Sequence, residues 1–279
     1  MKNTERALRT GGLGLLLAGA ALLTACGGAG AGTPPQSSPD REALCQVSLL
    51  QGLTYGDYNG SVPVSRIKEL GDTGIGTFHG LNGELIMLDG TVYRAAYDGS
   101  IEVVSDDETV PFANVTFFDP DTVAELDSID SVASLKEVLD KKVREAGSNR
   151  FYMVKAEGVF RTMEVRSELP QTEPYLPLAK VLETDQTFFD YRDIRGTVVG
   201  LYCPEYMSQL NAAGWHFHFI SEDRNAGGHV LDLSADSLKL SMDRTDGFSM
   251  TVPDNGMFNH FDLSVDQSDD IRKVETGEE

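Results

Sequence analysis

Cysteine is scarce in this chain of 279 residues: there are three, at positions 26, 45 and 203. So widely spaced, they exclude a thiolate metal site. Cys45 and Cys203 are left as either a pair in an oxidising compartment or two unrelated thiols. Positive charge is short as well, with 23 Lys+Arg against 44 Asp+Glu and a formal net charge of −21. That acidity argues against nucleic-acid binding and against electrostatic adhesion to anionic lipid. The uncharged stretch Gly11 to Ala25 is too short for a comfortable transmembrane span, and the chain shows no internal repeat.

What precedes and follows that stretch gives it an address. Lys2, Arg6 and Arg9 form a basic head, and the run ends in Leu23-Thr24-Ala25-Cys26. A basic head and a short apolar run predict a secretory signal over residues 1–25. The ending resembles a bacterial lipoprotein processing box, which would make Cys26 the lipidated first residue of the mature chain. Residues 26–40, rich in Gly, Ala, Pro, Ser and Thr, read as anchor and flexible tether. The expected location is the outer face of the cytoplasmic membrane or the cell envelope, with the membrane reached only through the lipid.

The remainder is long enough for one large or two small domains. Short β-type runs dominate residues 45–120. Asn82-Gly83 and Asp89-Gly90 mark tight hairpin turns in a meander of strands 76–81, 84–88, 91–96 and 101–104. Val132, Leu135, Val138, Leu139 and Val143 follow helical spacing within 128–145, and Gly147 stands where a C-cap belongs. Strands 151–155 and 159–166 flank Ala156-Glu157-Gly158 as a hairpin. Beyond the Pro-rich connector 169–177 come a strand 197–202, a short helix 204–213, and strands 215–220, 230–233, 238–242 and 248–252. The reading is an α+β protein of two sheet-based lobes, a mixed β-sheet N-terminal lobe over 41–170 and a β-rich metal-binding C-terminal lobe over 171–279.

Histidine carries the chemistry. Of five in the chain, His216, His218 and His229 fall close together. Strand alternation puts His216 and His218 on one face and Trp215, Phe217 and Phe219 on the other. The polar segment Ser221 to Gly228 reads as a hairpin loop that returns His229 toward them. Three imidazoles suit Zn²⁺ or another borderline divalent ion and leave positions open for a substrate. His79 and His260 read as structural or surface residues.

Four segments together closely resemble the bacterial α-acetolactate decarboxylases: Leu49-Leu-Gln-Gly-Leu-Thr-Tyr-Gly-Asp-Tyr-Asn-Gly, Gly76-Thr-Phe-His-Gly-Leu-Asn-Gly-Glu-Leu, Val110-Pro-Phe-Ala and Gly214-Trp-His-Phe-His-Phe-Ile-Ser-Glu-Asp. The resemblance runs from about residue 45 to the C-terminus. It implies Zn²⁺ on His216, His218 and His229, an essential arginine at Arg166, acidic residues at Glu84 and Glu275, a threonine at Thr77, and a homodimer paired through the N-terminal lobe. The lipoprotein-like leader departs from many relatives, which are cytoplasmic.

The implied substrate, 2-acetolactate, is a 2-hydroxy-2-methyl-3-oxo acid. Loss of CO₂ pushes electron density into the neighbouring ketone, and zinc chelated by the hydroxyl and ketone oxygens would stabilise the enediolate without an organic cofactor. Arg166 suits the leaving carboxylate. Glu84, Glu275 or Arg166 could return the proton that makes acetoin, or a carboxylate could instead support a histidine. The C-terminal tail is expected to close the site without affecting metal affinity. Two other readings compete. His216-x-His218-x-x-x-Glu222 matches the core of the cupin metal motif of dioxygenases and isomerases, although Leu210 stands where that motif needs glycine. A non-catalytic metal-binding lipoprotein is the third.

Overall fold

The structure, a computed structural model, describes residues 40–276. In chain order the strands are β1 (Ala43–Val47), β2 (Val62–Pro63), β3 (Thr73–Thr77), β4 (Glu84–Leu88), β5 (Thr91–Ala95), β6 (Ile101–Val103), β7 (Thr109–Val110) and β8 (Phe112–Thr116). They continue with β9 (Thr122–Ile129), β10 (Phe151–Glu168), β11 (Gln186–Cys203), β12 (Gly214–Ser221), β13 (Gly227–Thr245) and β14 (Gly247–Thr251). The helices are α1 (Leu50–Thr54), α2 (Val64–Leu70), α3 (Val132–Ala146), α4 (Leu178–Thr184) and α5 (Ser268–Thr276). None is long and apolar enough to cross a membrane.

Two sheets organise these strands. The first runs β14-β1-β8-β3-β4-β5-β6, and the second runs β10-β11-β12-β13-β9 with β10 also paired to β13. That extra pairing closes β10 to β13 on themselves. Inside the closure Phe160, Phe217, Phe219, Leu233 and Leu240 form a core that α3 covers with Leu135, Leu139 and Val143. Ser131 caps α3 by accepting from Ser134 N, and Gly147 ends it as the sequence predicts. A second core lies between the sheets, where Ile75, Ile86 and Leu88 meet Met153, Val199 and Ile220.

The strand order corrects the expected division near residue 170. β9 and β10 precede that position yet belong to the second sheet, while β14 follows it and pairs in parallel with β1 of the first. The hairpin expected at 156–158 is also absent, because β10 runs straight through it. Gly158 sits at a register shift, where a β-carbon would lie 2.9 Å from Ser237 O. A glycine admits close strand approach at a bulge as readily as a turn, so the sequence signal was ambiguous. Strands 230–233 and 238–242 likewise merge into β13, and strand 197–202 grows into β11. The expected strand 76–81 ends at Thr77 and gives way to a 3₁₀ turn over His79–Leu81, and the expected helix 204–213 shrinks to a 3₁₀ turn over Glu205–Met207. The Asp89-Gly90 turn forms as predicted, with φ of 50° and 79°. Cys45 and Cys203 are both buried and unpaired.

Candidate metal centre and active site

Alternation along β12 does what the sequence pattern requires. Trp215, Phe217 and Phe219 enter the closed core. His216 and His218 project from the opposite face toward the first sheet, where His218 Nδ1 lies 2.9 Å from Leu85 O. His229, near the start of β13, is the register partner of His218. His216 Nε2 consequently stands 3.0 Å from His218 Nε2 and 3.1 Å from His229 Nδ1.

The remote nitrogen of each ring faces an acceptor. Leu85 O serves His218 Nδ1 and Glu275 O serves His229 Nε2 at 2.9 Å, while Glu275 Oε2 stands 3.1 Å from His216 Nδ1 without making a hydrogen bond to it. A ring that donates its proton outward keeps its lone pair on the inner nitrogen. That fixes the lone pairs of His218 and His229 toward His216, and all three side chains are buried. Burial pushes His216 down to about 3, helped by the Arg166 and Lys136 charges. Burial also holds His218 and His229 well below the usual imidazole range. Neutral, converging imidazoles lack a partner that only a cation supplies to all three, and this donor set fits a divalent metal ion. Their ligand atoms lie within 4.8 Å of one another.

Around this centre the remaining expected residues assemble. Thr77 and Glu84 are directly opposed across the β3–β4 ladder, and Thr77 Oγ1 donates to Gly83 O at 2.8 Å. Glu84 Oε2 lies 3.3 Å from His218 Nε2. Burial, the charge of Glu168 and a hydrogen bond to Glu168 raise the Glu84 carboxyl well above the usual range, against the pull of Arg166. Arg166, on β10, pairs in register with His229 and donates from Nη2 to Val274 O. Glu275, on α5, is pushed up to about 7 by burial, with Arg166 and Lys136 opposing. A small cavity touches Thr77, Glu84, Arg166, His216, His229 and Glu275. Its apolar wall includes Leu50 and Leu53 of α1, Phe112, Leu178 and Val274.

Two features were not legible beforehand. Glu168 lines the cavity beside Arg166, its carboxylate buried; the only sequence signal was its spacing of two from Arg166 on a strand. The tail is more than a cover, because Glu275 reaches two of the histidines through its carbonyl and carboxylate. These contacts stand against the expectation that the tail is indifferent to metal affinity. His79 accepts from Gly60 N and is exposed, as is His260. Cys26 lies outside the described residues.

Residues 44–265 match the family described as alpha-acetolactate decarboxylase. A curated alpha-acetolactate decarboxylase of Methanosarcina mazei is 40% identical over 242 residues, covering 87% of this chain and 83% of its own. That of Bacillus subtilis strain 168 is 34% identical, covering 84% and 90%. The crystal structure of the alpha-acetolactate decarboxylase from the same strain superposes with a TM-score of 0.80 at 32% identity, over 84% of this chain and 99% of that one. A Staphylococcus aureus protein of unknown function, similar to that enzyme, superposes at 0.78 and 31% identity, over 84% and 100%.

Proposed function

The chain belongs to the α-acetolactate decarboxylase family and is a carboxy-lyase of that class, and on that premise we propose how its residues divide the work of turning 2-acetolactate into acetoin and CO₂. The observation that carries the reading is the convergence of three neutral imidazoles beside a buried guanidinium in one cavity. His216, His218 and His229 would hold Zn²⁺, which would supply a Lewis acid to stabilise the charge left as CO₂ departs.

Arg166 grips the leaving carboxylate. Its planar fork matches two oxygens at once, and burial strengthens the contact relative to water. Thr77 and the apolar wall of Leu50, Leu53 and Leu178 exclude water and seat the methyl groups. Glu84 and Glu275 both hold a proton more tightly than an ordinary carboxyl, so either can return one to the carbon that lost CO₂. Incubation of the purified domain with racemic 2-acetolactate and zinc, followed by colorimetric detection of acetoin, tests the reading. Metal uptake without acetoin would favour a non-catalytic binding protein.

The same proposal includes an address and an assembly. Cys26 bears the lipid that holds the protein outside the cytoplasmic membrane, so Cys26→Ser should release an active protein from the membrane fraction. A homodimer forms by pairing edges of the first sheet, where β6 is an edge strand with Val103 65% exposed. Light scattering at micromolar concentration that finds only a monomer with full activity would refute the dimer.

A further inference from the structure

We propose that Glu168 is a positioning residue for this site: it anchors the guanidinium of Arg166 so that its carboxylate-binding edge is turned toward the histidines. The inference rests on the functional reading above and goes beyond it, since that reading touches Glu168 only through its hydrogen bond to Glu84 and gives it no role at Arg166.

Arg166 and Glu168 are two residues apart on β10, so their side chains leave the same face of the strand. Both are buried, and Arg166 Nε stands 3.5 Å from Glu168 Oε1. Three carboxyl groups, those of Glu84, Glu168 and Glu275, line the cavity together with the Arg166 guanidinium. Glu84 comes from the first sheet and Glu275 from α5. Glu168 alone shares the strand of Arg166, so the backbone of β10 sets the spacing of that pair. The second restraint is at the other side of the fork, where Nη2 donates to Val274 O. Nη2 is fixed by that hydrogen bond and the Glu168 charge stands beside Nε, so two sites rather than one restrain the planar group. Glu168 Oε2 and Arg166 Nε are both buried without a hydrogen-bond partner. The pair is therefore held by charge and by strand geometry more than by an ideal hydrogen bond. Such a residue acts on turnover through Arg166, at the step where the substrate carboxylate is seated.

The test compares the zinc-loaded wild type with Glu168→Gln, Glu168→Asp, Arg166→Lys and the double variant Arg166→Lys/Glu168→Gln. Binding of two unreactive probes is measured by calorimetry: 2-hydroxy-2-methylpropanoate, which has the carboxylate, and acetoin, which lacks it. Glu168→Gln should weaken the carboxylate probe by about tenfold, the scale of one charge-assisted contact. Acetoin affinity and zinc stoichiometry should stay at wild-type levels, and KM for 2-acetolactate should rise. The double variant should bind the carboxylate no worse than Arg166→Lys alone, because both changes remove one restraint. Equal weakening of both probes, or fully additive losses in the double variant, would overturn the proposal. So would wild-type carboxylate affinity in Glu168→Gln. If Glu168→Gln does not fold, Glu168→Asp decides: it keeps the charge but shortens the reach, and an unchanged carboxylate affinity would sink the idea. A wild type that binds both probes but makes no acetoin would refute the functional reading while leaving the positioning test intact.

Discussion

His229 stands directly across the β10–β13 ladder from Arg166, and Gly228 beside it lets the two strands approach so closely that a β-carbon there would lie 2.6 Å from Arg166 O. One backbone contact thus places the His229 imidazole and the Arg166 guanidinium in a single frame. Gly228 also has φ of 149°, a conformation that side chains oppose. Gly228→Ala should cost roughly 1–3 kcal/mol of stability. It should also lower both zinc content and turnover, read by thermal melting, metal analysis and acetoin formation. Wild-type values of all three would show that the close approach does not matter.

Metal removal should abolish acetoin formation, and Zn²⁺ should restore it. The three histidines sit where burial keeps them neutral, so the ligand atoms require no deprotonation at neutral pH. His218→Ala should lose bound metal and activity together, whereas His260→Ala should change neither. A fully active, metal-free His218→Ala protein would refute the assignment.

Lysine at position 166 keeps the charge and loses the fork. Turnover of Arg166→Lys should fall on the order of a hundredfold, the scale of one misplaced orienting contact, with little change in melting temperature. An unchanged kcat would end the orienting role. Glu84→Gln should lower turnover while zinc is retained; loss of zinc in that variant would instead make Glu84 a support for His218, from which it is 3.3 Å away.

Truncation before Ile271 should now be expected to reduce metal affinity as well as activity. It removes the carbonyl that faces His229 Nε2 and the carboxylate that faces His216 Nδ1, and such outer contacts are worth about 10–100-fold in affinity. It also removes Ile271 and Val274 and so uncovers Leu50, Leu53 and Leu178, with which they pack. Competition with a chromogenic chelator measures the effect. Unchanged zinc affinity in a folded truncation would restore the simpler picture of the tail as a cover.

How much of this was readable beforehand depended on whether the signal was local. The alternation of Trp215, His216, Phe217 and His218 predicted its two faces because period 2 is a property of the strand itself. α3 and its Gly147 stop were equally local. The lengths of β10, β11 and β13 were not, because their interruptions at Gly158 and Ser234 are turn-like in composition but are held extended by neighbours on both sides. The return of β14 to β1 across most of the chain leaves no mark in either segment. Glu168 was missed for the same reason: an acidic residue at a strand end is usually solvated, and here it is buried beside Arg166 and Glu84, which come together only in the fold. Glu275 required the family resemblance, since Val274-Glu275 alone says nothing about the histidines it reaches.

Asp243 gives a prediction about pH that is independent of the metal centre. It lies near the far end of β13 from His229, 2% exposed, with Oδ2 lacking a hydrogen-bond partner. Burial pushes its carboxyl up to about 7 from 3.8, with Asp121 and Glu42 adding to the shift and the backbone N–H of Asp119 opposing it. The folded chain therefore holds this proton where the unfolded chain has released it. Between those two values the folded state binds more protons, so this group makes stability fall as pH rises. Its favourable contribution is complete below about 3.8 and is lost as pH passes about 7. Asp243→Asn keeps the shape and removes the titration. The variant should be more stable than wild type at pH 8, and the difference should shrink steadily toward pH 4. Urea denaturation at several pH values measures this; a difference that stays constant, or grows as pH falls, would show that Asp243 is ionised in the folded protein throughout.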